Sequence, residues 1–154
     1  MNRRMLIIPF MVLGSWMCVA GCGGGDETVV VSKAEFLARG NVFCKEALEK
    51  QSEAFQRLVN ESVKSESSDA TKSDRKRLKP FMETVSGTVR TMIAEFEELG
   101  APPAQEEAVT AMLEEYDQGA KKAEEKPKAF TWGKVFIRAD DRAEALGLVK
   151  CSDM

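Results

Sequence analysis

Four cysteines are the residues of this chain best equipped for chemistry, and they stand at positions 18, 22, 44 and 151. A thiol can be acylated, oxidised to a disulfide or used as a soft metal ligand. Histidine is absent. Its absence removes histidine-based triads, histidine-ligated zinc and the Glu-x-x-His di-iron pattern. Carboxylates come in adjacent pairs: Glu97-Glu98, Glu106-Glu107, Glu114-Glu115, Glu124-Glu125 and Asp140-Asp141. Acid–base work needs two carboxylates that converge on one atom. Neighbours on a helix point about 100° apart, so these pairs read as solvated surface. Asp140-Asp141 lies in a stretch that is otherwise small and apolar, and an ion pair to Arg138 or Arg142 accounts for it. Tyr116 and Trp132 read as core or rim residues.

The N-terminus carries Arg3 and Arg4 and then an apolar stretch from Met5 to Ala20, broken only by Pro9, Gly14 and Ser15. A positive region followed by a short apolar one is the pattern of a secretory signal peptide. A spanning helix needs about 20 apolar residues. This run is shorter and ends in Gly21-Cys22-Gly23-Gly24-Gly25, so residues 1–21 read as a signal peptide. The junction Val19-Ala20-Gly21-Cys22 resembles the lipobox of bacterial lipoproteins: an aliphatic residue, two small residues and a cysteine. The resemblance implies that Cys22 receives diacylglycerol and becomes the mature N-terminus, anchored on the extracytoplasmic side of a membrane. Cys18 is a poor competitor, because Ser15-Trp16-Met17 before it is bulky. Ordinary cleavage after Ala20, giving a soluble secreted protein, is the alternative. One acyl chain holds a protein marginally, whereas two or three hold it stably. Residues 22–31 then form the lipidated cysteine and a glycine-rich, flexible tether.

About 130 residues remain, enough for one domain with one core, spanning 32–154. The whole chain carries 22 basic and 25 acidic residues, and loss of Arg3 and Arg4 raises the acidic excess from three to five. Nucleic acid is therefore not an expected partner, since phosphate neutralisation needs a basic face. No cofactor motif stands out. Removal of Cys18 and lipidation of Cys22 leave two thiols, Cys44 and Cys151. In an oxidising space two leftover cysteines usually pair. A free redox thiol and a metal-ligand pair are the alternatives, and neither has supporting residues nearby.

Four amphipathic helices must position these residues. Ser32-Lys33-Ala34-Glu35 is a capping box that starts the first, with Val31 and Phe36 spaced as a hydrophobic staple. Its apolar stripe runs through Leu37, Cys44, Leu48, Phe55, Leu58 and Val59, widened by Phe36, Phe43 and Ala47. Gly40 inside it marks either a close helix approach or a tolerated glycine. The pattern disappears from Asn60 to Asp74, which reads as a polar loop or a frayed helix end. The second helix runs to Leu99 through Leu78, Phe81, Met82, Val85, Val89, Met92, Ile93 and Phe96. Pro80 places its regular start nearby, with the proline in the first turn. Gly100 supplies the stop, followed by Pro102-Pro103.

The third helix starts at Pro103, buries Val109, Met112, Leu113, Tyr116, Ala120 and Ala123, and ends at Pro127. Glu106 and Glu107 near its start and Lys121, Lys122 and Lys126 near its end suit the helix dipole. The fourth starts near Thr131, a cap, and turns Trp132, Val135, Phe136, Ala139, Ala143 and Leu146 inward. Gly147 then forms a left-handed cap with Leu148 folding back. The expected fold is all-α, an antiparallel four-helix bundle with one disulfide. In an up-down-up-down order the first and fourth helices are neighbours. Cys44 then lies about 18 Å above the start of the first helix, and a fourth helix roughly 10 Å shorter than the third brings Cys151 to a similar level.

Ser32-Lys33-Ala34-Glu35-Phe36 leading to Cys44, with Leu146-Gly147-Leu148 leading to Cys151, resembles a group of small exported helical proteins of high-GC Gram-positive bacteria. The recognisable motifs lie at the two ends of the mature chain. The resemblance implies the bundle and the cysteine pair and brings no catalytic residue. One basic cluster remains, Arg75-Lys76-Arg77 with Lys79, at the start of the second helix, where positive charge opposes the dipole. It reads as a solvated turn or as a contact for an anionic envelope polymer or an acidic protein. The expected function is therefore a lipid-anchored envelope module without enzymatic activity. The alternative is a binder of lipid or another small apolar ligand in a groove between helices.

Overall fold

The computed structural model describes residues 30–64, 70–125 and 134–154, with residues 63–64 and 70–77 described by backbone alone. The expected signal peptide at residues 1–21, Cys18, Cys22, Lys126, Thr131 and Trp132 lie outside the described residues. Helix α1 spans Lys33–Lys64, α2 Ala70–Leu99, α3 Glu106–Glu125 and α4 Ile137–Leu146, with a single 3-10 turn at Pro103–Gln105. No strand occurs among the described residues.

The start of α1 follows from its local chemistry. The Ser32 hydroxyl accepts the Glu35 N–H at 3.2 Å, while the Glu35 carboxylate lies 3.8 Å from Arg39. Val31 and Phe36 are both buried in the core, which fixes the angle at which the chain enters the helix. Val31 is thus packed, although the tether was drawn through it.

The seam that α1 buries differs from the apolar stripe by one residue. It runs Phe36, Gly40, Cys44, Ala47, Gln51, Ala54, in steps of four and three. Leu37, Phe43, Leu48 and Leu58 flank it, but Phe55 and Val59 are exposed. Small Ala54 and polar Gln51 occupy the seam, and the larger apolar neighbours draw a hydrophobicity reading off it.

Two helix boundaries also move. Residues 61–64 and 70–74 are helical, so the polar stretch from Asn60 to Asp74 is loop at most over part of its length. Pro80 is inside α2, not in its first turn. A proline there removes one helix bond. Pro80 is exposed, so water can reach the carbonyl left free, and the Thr84 hydroxyl donates to the Pro80 carbonyl at 3.0 Å. Helix α4 starts at Ile137 after a turn over 134–136, not near Thr131. The cause is tertiary: the Val135 carbonyl and the Phe136 ring lie against Gly119 of α3. A Cβ at Gly119 would come within 2.5 Å of that ring.

Gly100 and Gly147 end their helices in the left-handed region, at φ 75° and 91°. At Gly147 the paired bonds of a Schellman motif are complete, Gly147 N–H to Glu144 at 2.9 Å and Leu148 N–H to Ala143 at 2.8 Å. Leu148 is fully buried as a result.

α1 packs on α2, α2 on α3, and α3 on α4 around one core. Phe96 of α2 holds Phe36 and Phe43 at centroid distances of 5.7 and 5.4 Å. The Arg90 guanidinium clamps Glu124 with two bonds of 2.6 and 2.9 Å, joining α2 to α3. That bond holds the Glu124 carboxyl below its usual range and raises Arg90 above its own. Closure back onto α1 comes from the segment after α4, residues 147–154, not from a neighbouring α1–α4 pair along their lengths.

Candidate functional site

The C-terminal segment gathers the chain's unusual chemistry in one place. Cys151 is bonded to Cys44, with 4.9 Å between their Cα atoms and 107 residues between them in sequence. Both cysteines are fully buried, and the Cys44 sulfur lies 3.6 Å from that of Met92. The bridge is therefore shielded, and thiol exchange requires the segment to lift first. Asn41 adds a second tie: its amide donates to the Leu37 carbonyl at 2.8 Å, and its oxygen accepts the Lys150 N–H at 2.8 Å. Leu148 packs where Gly40 leaves room, because a Cβ there would stand 2.7 Å from both Leu148 and Phe96. Gly40 thus marks a close approach.

Tyr116 of α3 sits under the same segment, fully buried against Phe136. Its hydroxyl faces two acceptors, the Asp140 carboxylate at 2.9 Å and the Cys151 carbonyl at 3.1 Å. Burial, reinforced by the Asp140 charge, pushes the phenol far above its ordinary value. Burial likewise raises Asp140 to about 6, against the Tyr116 hydrogen bond, which favours the ionised form. Neither Arg138 nor Arg142 neutralises Asp140, contrary to the ion pair expected from sequence. Both turn to Glu115 on α3, at 2.7 and 3.9 Å. Two acidic doublets thus place one member at the α3–α4 junction, while Glu97, Glu98, Glu106, Glu107, Glu124 and Glu125 are exposed.

Beside the segment, Leu48, Gln51, Ser52, Phe55, Asp153 and Met154 line an open, mostly apolar groove of about 440 Å³. Gln51 is 1 % exposed, and its amide nitrogen has no hydrogen-bond partner among the described residues. Sequence reasoning missed this residue because a glutamine breaks the apolar pattern it was searching for. It also missed the Tyr116–Asp140 pair. The available signal was a single tyrosine on a buried stripe, since a buried phenol usually finds a partner.

The basic cluster lies several residues into α2, whose start is Ala70, so its conflict with the helix dipole is weaker than expected. Lys79 is exposed and 3.7 Å from Glu83. The side chains of Arg75, Lys76 and Arg77 lie outside the described residues. Among the described residues no helix is long and apolar enough to cross a membrane, and no cluster has the makings of a metal site. No protein-family model, curated protein or solved structure matches the chain.

Proposed function

We propose that the protein is a cell-envelope lipoprotein, held to a membrane by lipid on Cys22, whose helical domain serves as a non-enzymatic interaction or structural module. The observation that carries this reading is the Cys44–Cys151 pairing. Disulfides persist in oxidising compartments outside the cytoplasm. With Cys18 assigned to the leader, the pairing leaves Cys22 as the thiol available for acylation. The leader pattern of Arg3, Arg4, the apolar run and Val19-Ala20-Gly21-Cys22 supports the same conclusion. Residues 22–29 span at most roughly 30 Å, which keeps the domain close to the lipid surface. Consecutive helices packed on one another across short connections support the antiparallel order. Arg75, Lys76, Arg77 and Lys79 are the contact proposed for an anionic polymer or acidic partner.

The anchor is tested by Cys22→Ser, which should abolish lipid labelling and leave the chain uncleaved or mislocalised. A processed serine variant that still partitions into detergent like the wild type would defeat the lipoprotein reading. Crosslinking of the lipidated form in its own membrane should then recover a partner. The groove beside Met154 favours a second reading, a binder of lipid or another small apolar ligand. Native mass spectra of the unlipidated domain with a bound acyl chain would select it.

A further inference from the structure

We propose that the Tyr116 hydroxyl relays the protonation state of Asp140 to the C-terminal segment, so that residues 147–154 are latched more firmly in mild acid than above neutrality. The argument is a count of protons. Tyr116 has one hydroxyl proton and two acceptors within reach, Asp140 and the Cys151 carbonyl. With Asp140 ionised, the charged oxygen takes that proton, since bonds to ionised acceptors are the stronger ones. Among the described residues the Cys151 carbonyl then keeps only the Met154 N–H, at 3.1 Å. Uptake of one solvent proton by Asp140 reverses the chain. Asp140 O–H donates to Tyr116, and Tyr116 O–H donates to Cys151. Both O–H protons in the path are then donated, and α4, α3 and the segment are joined by one line of hydrogen bonds.

The surroundings leave Asp140 free to act this way. On its own helix Asp141 adds like charge, and Arg138 and Arg142 are engaged by Glu115 of α3. On the segment itself, Lys150 and Asp153 face each other at 3.9 Å. Asp140 is only partly buried, so water can deliver the proton. Its ionisation near 6 places the change within reach of ordinary buffers.

Tyr116 is the chain's sole tyrosine, so its vibrational spectrum reports this one site. Resonance Raman spectra of the full chain in detergent, taken between about pH 4.5 and about pH 8, should show the tyrosine Fermi doublet change from donor-only to donor-and-acceptor on acidification. Amide exchange at residues 147–154, corrected for intrinsic rates, should slow by about 10- to 100-fold over the same range. Asp140→Asn carries an amide that donates to Tyr116 at every pH, so it should hold both signals at their acid values. Tyr116→Phe should keep helix content and lose the pH dependence of exchange. A wild-type doublet that does not move, an Asn variant that keeps the wild-type transition, or a Phe variant that keeps pH-dependent protection would each overturn the relay.

Discussion

Asp140 and Gln51 are both polar groups in places that do not suit them, and each makes a prediction. Asp140 has a folded value of about 6 against an ordinary value of 3.8. Its contribution to stability is therefore fully present below about pH 4 and is lost as pH rises through about 6. Because Asp140 is only partly buried, solvent screening keeps the loss below the ~3 kcal/mol that the full shift would carry. Asp140→Asn should melt above the wild type at neutral pH and equal to it below about pH 4, measured by thermal denaturation across pH. Gln51 buries an amide nitrogen without a partner among the described residues, at a cost of about 1–3 kcal/mol. Gln51→Met keeps the volume and removes the group, so the midpoint in urea should rise; a fall would contradict the unpartnered amide. Gln51 was not legible as special in sequence, and Asp140 stood out only as part of a doublet in small, apolar surroundings. Asp140 looked like half of a surface doublet, because nothing local says that Arg138 and Arg142 prefer Glu115. Gln51 was passed over in favour of Phe55, because size and apolarity are visible in sequence and the angle of the neighbouring helix is not.

At the scale of elements, what was legible was chemistry confined to a few neighbouring residues. Ser32 at the start of α1, Gly100 after α2 and Gly147 after α4 are caps whose partners lie within about one helical turn. The starts of α2 and α4 were misplaced because their causes are not local. Pro80 is tolerated mid-helix by being exposed, and α4 waits until the Phe136 ring has cleared Gly119. The glycines separate these cases experimentally. Gly87 is an exposed residue inside α2, with nothing near its missing Cβ. Gly87→Ala should stabilise by up to about 1 kcal/mol through helix propensity. Gly40→Ala and Gly119→Ala gain the same propensity but drive a methyl into Phe96 and Leu148, or into Phe136. Overpacking costs about 1–3 kcal/mol, so both should destabilise on balance. Chemical denaturation of the three variants checks the order, and a stabilised Gly119→Ala would contradict the close contact with Phe136.

For the molecule as a whole, the cysteine pairing was legible by elimination, because the proposed export and lipidation of Cys22 would leave only two thiols to account for. The way the ends meet was not. Equal heights on neighbouring helices gave the right pair from a wrong contact, since the partner of α1 is the segment beyond α4 and not α4 itself. Closing a loop of 107 residues is worth about 4–5 kcal/mol in the chain-entropy model. Reduction should lower the melting midpoint by several degrees and free residues 147–154 first, which amide exchange can follow. The same bridge decides where the molecule carries mechanical load. A pull between Val30 and Met154 travels along residues 30–44, across the two sulfurs and out through Ser152–Met154. The helices enclosed between Cys44 and Cys151 lie off that line and stay slack. Stretched in an optical trap, the oxidised domain should lengthen to roughly 60 Å and stop, whereas the reduced domain should run to roughly 400 Å. A module tied down at one end and tugged at the other would thus be fused against unravelling. By the same covalent ring, a protease that nicks it once between those cysteines cuts the chain without releasing a piece.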